Sequence, residues 1–328
     1  MTRSERVFVT GGSGFVGRAI IRRLVTDGRS VRALARSVGS HQSVANLGAD
    51  PAPGDVEDPG SLDRAMTGCD VVYHVSGVNA FCLRDPSPLY RINVGGSRNV
   101  VEAAARAGVR RIVYTSSAST IGEPQGVVGR EDTPHRGFFL SDYERSKYEA
   151  ERSVLDLAQD LGVEVVSVNP SSVQGPGRTG GTGKIFILFL KGRLRFFIDT
   201  RVSLVDVDDC TEGHILAERH GQPQNRYVLN GSVLTSKEAL DIAAGITRVR
   251  TAPRMVPGTV AIIGGRAIDI VAALRRRSPS VCGEMVRTLL HGHAYDGSKA
   301  ERDLGLRYTP VEETLRKTAD WLRAESLI

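Results

Sequence analysis

Tyr143 and Lys147 stand four residues apart in a stretch, Ser141-Asp-Tyr-Glu144 onward, that reads as a helix start with Ser141 as N-cap and Glu144 as its capping-box partner. That spacing is about one helical turn, so phenol and ammonium share a face. A free phenol has a pKa of about 10, and a nearby cation stabilises the phenolate, easing proton exchange at neutral pH. Upstream, the β-branched run Arg111-Ile-Val-Tyr-Thr115 enters Ser116-Ser117-Ala118-Ser119. Hydroxyls at the C-terminal edge of a parallel sheet face its ligand crevice, where a serine can donate to a substrate carbonyl oxygen and polarise it. The competing readings are a solvated Tyr/Lys pair and a serine-rich turn with backbone roles alone.

A second group of residues suits a dinucleotide. Thr10-Gly-Gly-Ser-Gly-Phe-Val-Gly17 follows the apolar run Val7–Val9 and opens a helix whose apolar face includes Val16, Ile20, Ile21, Leu24 and Val25. Glycines such as Gly11 and Gly14 permit a tight turn and close approach to a pyrophosphate, and the helix N-terminus supplies N–H groups and positive potential. The next strand ends Val31-Arg-Ala-Leu-Ala-Arg36, about where a carboxylate would grip the ribose hydroxyls of NAD. Ala35 and Arg36 stand there instead, and a guanidinium can pair with a 2′-phosphate, so NADP(H) is favoured and NAD(H) is the alternative. The other reading of Arg36 is a solvated loop residue. In Gly54-Asp55-Val56, Asp55 can accept from an adenine amino group.

The elements that must position these residues are legible as an alternation. Short β-branched runs (Val7–Thr10, Ser30–Ala35, Val71–Val75, Arg111–Thr115, Val163–Val168) alternate with helical stretches reaching to Asp27, Ala107 and Leu161. This predicts an α/β Rossmann fold, a doubly wound parallel sheet with helices on both faces. After Pro170 come a Gly-rich loop, Gly175–Gly183, and an apolar, basic segment, Lys184–Phe197. Ser203–Val207 and Tyr227–Leu229 are expected to rejoin the sheet. The expected organisation is a cofactor-binding domain over 1–172 plus about 203–230, interleaved with a smaller substrate-binding domain over 173–202 and 231–328.

The chain of 328 residues, 41% hydrophobic and 24% charged, is long enough to bury a large core. Its net charge of +6 is spread through helical stretches, without a basic block, so nucleic acid is not an expected partner. Cys69, Cys82, Cys210 and Cys282 show neither CxxC nor zinc-finger spacing, so no metal site is read and a reducing, cytoplasmic setting is the default. Met1-Thr2-Arg3 runs straight into the first apolar run, leaving no room for a signal peptide. The most apolar stretch, Val256–Leu274, is interrupted by Arg266 and Asp269 and is too short to span a bilayer.

These features together resemble the extended short-chain dehydrogenase/reductases, the NAD-dependent epimerase/dehydratase family, over most of the chain. The matching motifs are Thr10–Gly17, Gly54-Asp55-Val56, His74-Val75-Ser76-Gly77, Asn93-Val-Gly-Gly-Ser-Arg-Asn99, Tyr114-Thr-Ser-Ser-Ala118, Tyr143 with Lys147, and Asn169-Pro170-Ser-Ser-Val173-Gln-Gly-Pro176. The resemblance implies an NAD(P)-dependent oxidoreductase with Ser117, rather than Ser116, as catalytic serine and Tyr143 as acid/base. It implies that Lys147 lowers the phenol pKa and holds the nicotinamide ribose, and that Asn93 helps in positioning or proton relay. It places Gly11, Gly14, Phe15, Val16, Arg36, Asp55, Val56, Val75, Ser76, Gly77, Pro170 and Val173, with Tyr143 and Lys147, against the cofactor. It also implies a homodimer through helices at roughly Leu89–Ala107 and Tyr143–Leu161.

Within the family the chain is most similar to the dihydroflavonol-reductase-like and 3β-hydroxysteroid-dehydrogenase-like branch. His41 is the nearest basic residue after Arg36, so a second clamp on the phosphate is missing. Sugar-nucleotide enzymes of the family carry an asparagine near the position of Ser172, which speaks against a nucleotide-sugar substrate here. Arg201 speaks for one, being placed like the arginine that holds the substrate pyrophosphate; its other reading is a surface salt bridge. Phe81, Phe138, Phe139, Phe186 and Phe189 suit either a pocket for a hydrophobic carbonyl compound or ordinary core. The expected function is therefore reduction of a carbonyl, or oxidation of a secondary alcohol, on a small hydrophobic substrate. The alternatives are a nucleotide-sugar epimerase/dehydratase with tightly held NAD(P) and a non-catalytic NADP(H)-binding regulator.

Overall fold

The computed structural model describes residues 5–247, 249, 253–275 and 277–328. The first three residues, on which the absence of a leader was read, lie outside these. The strands are β1 (Arg6–Thr10), β2 (Ser30–Ala35), β3 (Asp50–Pro53), β4 (Val71–His74), β5 (Arg111–Thr115), β6 (Glu164–Pro170), β7 (Ser172–Gln174), β8 (Phe196–Ile198), β9 (Arg201–Asp206), β10 (Arg226–Leu229), β11 (Ser232–Thr235) and β12 (Arg254–Val256). Seven of them form a parallel sheet in the order β10-β6-β5-β4-β1-β2-β3. This is the expected doubly wound Rossmann arrangement. Its strand order reverses between β1 and β4, the point where a crevice opens beyond the carboxyl ends of the strands.

The strands are apolar on both sides because helices cover both faces. Val7 and Val9 of β1 belong to one core layer with Ile20, Leu24 and Tyr227, while Phe8 between them belongs to the opposite layer with Leu62, Ile112 and Val154. Proline is tolerated in β3, Asp50-Pro-Ala-Pro53, because β3 is the sheet edge and needs donors on one side only. The long helix Asp142–Leu161 starts where Ser141 Oγ accepts from the Glu144 amide (3.1 Å) and stops at Gly162, whose φ of 69° is a left-handed cap.

Three expectations need correction. Ser203–Val207 does not rejoin the main sheet: β9 (Arg201–Asp206) lies in a separate three-stranded sheet between β7 and β11, and β10 alone extends the main sheet past β6. A hydrophobic run shows that a strand exists, not which edge it joins. The helix ending at Ala107 runs from a short α turn, Ser87–Leu89, through a π-helical stretch, Tyr90–Gly96, into the regular Ser97–Ala107. Finally, Cys82 and Cys282 form a disulfide, while Cys69 and Cys210 are buried thiols. Local cysteine spacing carries no information about partners 200 residues apart, so it did not show this pair.

Candidate active site

At the crevice, β1 ends at Thr10 and the chain turns through Gly11 to the helix Phe15–Thr26. Gly11 has a φ of 70°, and a Cβ there would lie 2.6 Å from the Ser76 amide nitrogen, so the glycine turn rests directly on Val75-Ser76-Gly77 after β4. Gly14 caps the helix without a side-chain bond, and the first turn carries no acidic residue. Its leading N–H groups are thus left for an anion, and Gly11 keeps the backbone close to it. That geometry fits a pyrophosphate. Phe15 and Val16 open this helix and are half-buried.

A hydrogen-bond chain ties the turn to the next element. Ser97 Oγ gives its proton to the Asn93 carbonyl (2.6 Å), so it accepts from His74 Nε2 (2.8 Å). His74 Nδ1 is then unprotonated and accepts from the Thr10 hydroxyl (2.7 Å), which in turn accepts from the Ser76 amide (3.2 Å). Burial, reinforced by Lys147, lowers the His74 pKa to about 3, so this neutral tautomer persists across the physiological range. The Asn93 amide clamps Val78 at both ends, accepting from its N–H (2.7 Å) and donating to its carbonyl (3.0 Å), and also donates to Ser146 Oγ (3.0 Å). Asn93 therefore fixes the loop that follows Gly77. The π turn, which places one extra residue in the helix, holds it there.

Val56 is buried beneath this turn, against Gly96, with its carbonyl accepting from Asn99 Nδ2 (2.9 Å). Asp55 and Arg36 face one another across a surface cleft lined also by Ser37, Val38, His41 and Asp58, with 3.7 Å between Nη1 and Oδ2. Pro170 ends β6, and Val173 in β7 is part of the core beneath the site.

Ser117, Tyr143 and Lys147 come together at the ends of β5 and the helix Asp142–Leu161. The Ser117 hydroxyl lies close enough to the Tyr143 phenol to hold its pKa down and hydrogen-bonds Ser119 Oγ (2.9 Å), whereas Ser116 Oγ is buried with no hydrogen-bond partner. Lys147 is buried; its Nζ donates to the Thr115 carbonyl (2.8 Å) and the Tyr114 hydroxyl (3.3 Å) and lies above the Tyr114 ring. Burial lowers its pKa to about 8, against support from Glu151 one turn on, so it remains an ammonium at neutral pH. Burial raises the Tyr143 pKa above the ordinary phenol value, opposed by the Ser117 hydrogen bond and the Arg178 guanidinium. The site therefore holds a phenol kept protonated by burial beside a hydroxyl, with a fixed cation one turn away.

Beneath them, the buried Glu151 carboxylate accepts from Ser167 Oγ (3.0 Å), Thr120 Oγ1 (3.2 Å), Arg226 Nη1 (3.1 Å) and Asn169 Nδ2. Asn169 also donates to the Ser117 carbonyl (3.2 Å), so the serine backbone is held from below.

Several features escaped the sequence reading. Glu144 does not complete a capping box with Ser141; its carboxylate accepts from the Leu140 amide (2.9 Å) and pairs with Arg136, both buried. A carboxylate with a buried guanidinium in reach is better used there than on a terminal N–H. Arg178, from the Gly-rich loop, lies over the Phe15 ring at 5.4 Å and acts on Tyr143, bridging the cofactor end and the reacting end. Glu284 accepts from the Cys82 amide (2.9 Å) and the Asp142 amide (2.8 Å), and with the disulfide it anchors the loop that carries Phe81 to within 5.7 Å (ring centroids) of Tyr143. Glu123, His291 and His293 offer ligand atoms within 4.8 Å of one another. They are already joined, with His293 Nδ1 2.7 Å from the Glu123 carboxylate and 2.9 Å from the Tyr295 hydroxyl. Burial would raise the Glu123 pKa, but the hydrogen bonds from both histidines outweigh it and hold it at about 2.

Of the five aromatics, only Phe81 meets Tyr143. Phe189 is buried core with Phe186 packed against it, Phe138 is exposed, and Phe139 makes tilted ring contacts with His135 and Tyr148. Arg201 is exposed and donates to the Gly126 carbonyl at 3.4 Å; no carboxylate pairs with it among the described residues.

A doubly wound sheet with a glycine turn on its first strand and a Ser/Tyr/Lys group at its fifth defines a nucleotide-dependent oxidoreductase of the extended short-chain type. Residues 7–229 match the profile of the NAD dependent epimerase/dehydratase family, and the chain belongs to that family. It is 34% identical over 325 residues to a putative dihydroflavonol 4-reductase of Synechocystis sp., covering 96% of this chain and 94% of that one. It is 30% identical over 328 residues to sterol demethylase protein B of Methylococcus capsulatus, covering 98% and 99%. The solved structure of gox2253 superposes with a TM-score of 0.86 at 29% identity, covering 99% of each chain.

The contact of Gly11 with Ser76 gives a direct test. Gly11→Ala forces a side chain into a left-handed backbone and onto the Ser76 nitrogen. It should cost about 1–3 kcal/mol in denaturant unfolding and remove binding of the nicotinamide dinucleotide in a fluorescence titration. Gly264→Ala, which meets no neighbour in an exposed helix interior, should leave cofactor binding unchanged and raise stability by about 0.5–1 kcal/mol.

Proposed function

We propose that the chain reduces a carbonyl group on a small, apolar substrate with NADPH, and runs the reverse oxidation when supplied with the alcohol and NADP. The observation that carries this reading is the Tyr143 phenol, set beside Ser117 at the end of β5 and one helical turn from the buried Lys147. The bound nicotinamide would supply a hydride to the carbonyl carbon. Tyr143 gives its proton to the carbonyl oxygen, Ser117 donates a hydrogen bond to that oxygen as negative charge develops, and Lys147 stabilises the phenolate left behind while its remaining donor capacity holds the ribose. Phe81 beside Tyr143 supports an apolar substrate, as do the names of the two relatives.

The preference for NADP(H) rests on Arg36. It is 72% exposed, and its 3.7 Å contact with Asp55 is too loose to occupy it. The same cleft contains Ser37 and the start of the helix Val38–Ala45, a second source of donors for a phosphate. Asp58, also in the cleft, is turned to cap another helix through the Gly60 and Ser61 amides.

The epimerase/dehydratase alternative draws on Arg201, whose guanidinium has no carboxylate partner among the described residues and is free for a diphosphate. We place the cofactor domain at 1–172 with β10 and assign β9 to the substrate domain, because β9 belongs to the smaller sheet.

The deciding assay is NADPH oxidation against panels of ketones, aldehydes and nucleotide sugars, with mass spectrometry of any ligand that copurifies. Turnover of an apolar ketone with stoichiometric NADPH loss is expected; sugar interconversion with no net cofactor change would establish the alternative. Arg36→Ala should weaken NADPH binding by a factor of ten or more, corresponding to about 1.5–3 kcal/mol for a charge-assisted phosphate contact, and leave NADH binding unchanged. Homodimerisation through the helices Ser97–Ala107 and Asp142–Leu161 would bring Arg98, Arg152, Asp156 and Asp160 into the contact. Light scattering at micromolar concentration should then show a dimer that weakens as salt is raised; a monomer at low salt would end that proposal.

A further inference from the structure

The helix Gly258–Leu274 is built inside out. Ala261, Gly265, Asp269 and Ala272, spaced three or four apart, form the inward face, and Gly265 is the buried residue of the helix. A Cβ on Gly265 would lie 3.2 Å from Gly283 Cα and from Val286 Cγ2, so the helix is seated tightly on its neighbour Gly283–His291. Asp269 fixes its rotation, since both carboxylate oxygens accept from the Gly283 amide at 3.1 Å.

The opposite face carries Val260, Ile263, Ala267, Ile270 and Leu274. Ile263, Ile270 and Leu274 are 69%, 63% and 79% exposed, with Val260 and Val271 exposed beside them. A surface helix of a globular chain shows polar residues there, and a contiguous apolar face of this kind marks a docking surface. The helix cannot turn to bury these side chains, because branched residues do not fit the gap at Gly265.

Charge identifies what the face meets. The exposed charges next to it in the chain are cations: Arg266 and Arg275 flank the apolar stripe on the helix, and Arg277 follows. Arg254 precedes the helix on β12, which pairs with β8 so that Arg254 stands opposite the exposed Phe196, itself next to Arg195. The one acidic residue over 254–277 is Asp269, turned inward to Gly283. Aliphatic side chains flanked by arginines whose stems can lie along the apolar surface match the boundary of an anionic bilayer. No helix among the described residues is long and apolar enough to cross a membrane, so the match is to a helix lying in the headgroup plane.

We propose that this face docks the enzyme peripherally on anionic lipid membranes, with the helix Gly258–Leu274 inserted at the headgroup boundary. The test is sedimentation of the full chain with vesicles of phosphatidylcholine alone and of equimolar phosphatidylcholine and phosphatidylglycerol. The protein should partition onto the anionic vesicles and come off as salt is raised. Ile263→Asp with Ile270→Asp should lower partitioning by about tenfold or more. Arg254→Ala and Arg275→Ala, which leave the apolar face intact, should each lower it by about fivefold. NADPH titration of every variant reports whether it is folded. Failure of the wild-type protein to bind anionic vesicles, or binding that the arginine variants do not change, would overturn the proposal. So would light scattering showing that the double Ile variant splits a vesicle-indifferent dimer, because the face would then join two copies of the chain.

Discussion

The ammonium of Lys147 is buried, and the rest of the site is arranged around the cost of keeping it there. An uncompensated buried cation is strongly disfavoured. Its protein partners are the Thr115 carbonyl, which the chain can offer only where β5 ends, and the Tyr114 hydroxyl one residue earlier. Strand β5 therefore has to stop at Thr115, and the helix from Asp142 has to begin where its second turn reaches that strand end. The Ser141 cap sets that start, and Glu284 holds the Asp142 amide from outside. Because burial takes the ammonium down to about 8 and no further, it keeps its charge in the physiological range.

The same cation explains features that look unrelated. His74, near it, stays neutral and serves as a fixed relay between Thr10 and Ser97. That relay couples the glycine turn to the π stretch carrying Asn93, which in turn clamps the loop beyond Gly77. Glu151 supports the ammonium from one turn below and also anchors Asn169 under Ser117. Cofactor end and reacting end are thus parts of one hydrogen-bonded structure.

Much of this was legible in the sequence because it depends on local spacing. The four-residue step from Tyr143 to Lys147, the glycine turn after β1 and the alternation of strands and helices are short-range patterns with a direct physical meaning. What stayed hidden depends on distant partners. Nothing near Cys82 announces Cys282, nothing near Ser141 shows that Glu144 will meet Arg136, and the inward turn of Arg178 follows from how a glycine-rich loop folds over Phe15. The misplaced strand at 203–207 has the same origin, since apolar alternation does not choose between two sheets. The apolar run at 256–274 was visible, but its inversion was not: that needs the seat of Gly265 on Gly283.

The central claim is that the Tyr143 proton travels to the substrate oxygen as hydride arrives, with the fold and the cofactor site independent of that proton. Single-turnover hydride transfer from bound NADPH, measured for the wild-type protein and Tyr143→Phe alongside their NADPH titrations, tests it most directly. The account predicts a loss of about 10²–10⁴-fold in the transfer rate with NADPH affinity nearly unchanged. Transfer at close to the wild-type rate in Tyr143→Phe would contradict it.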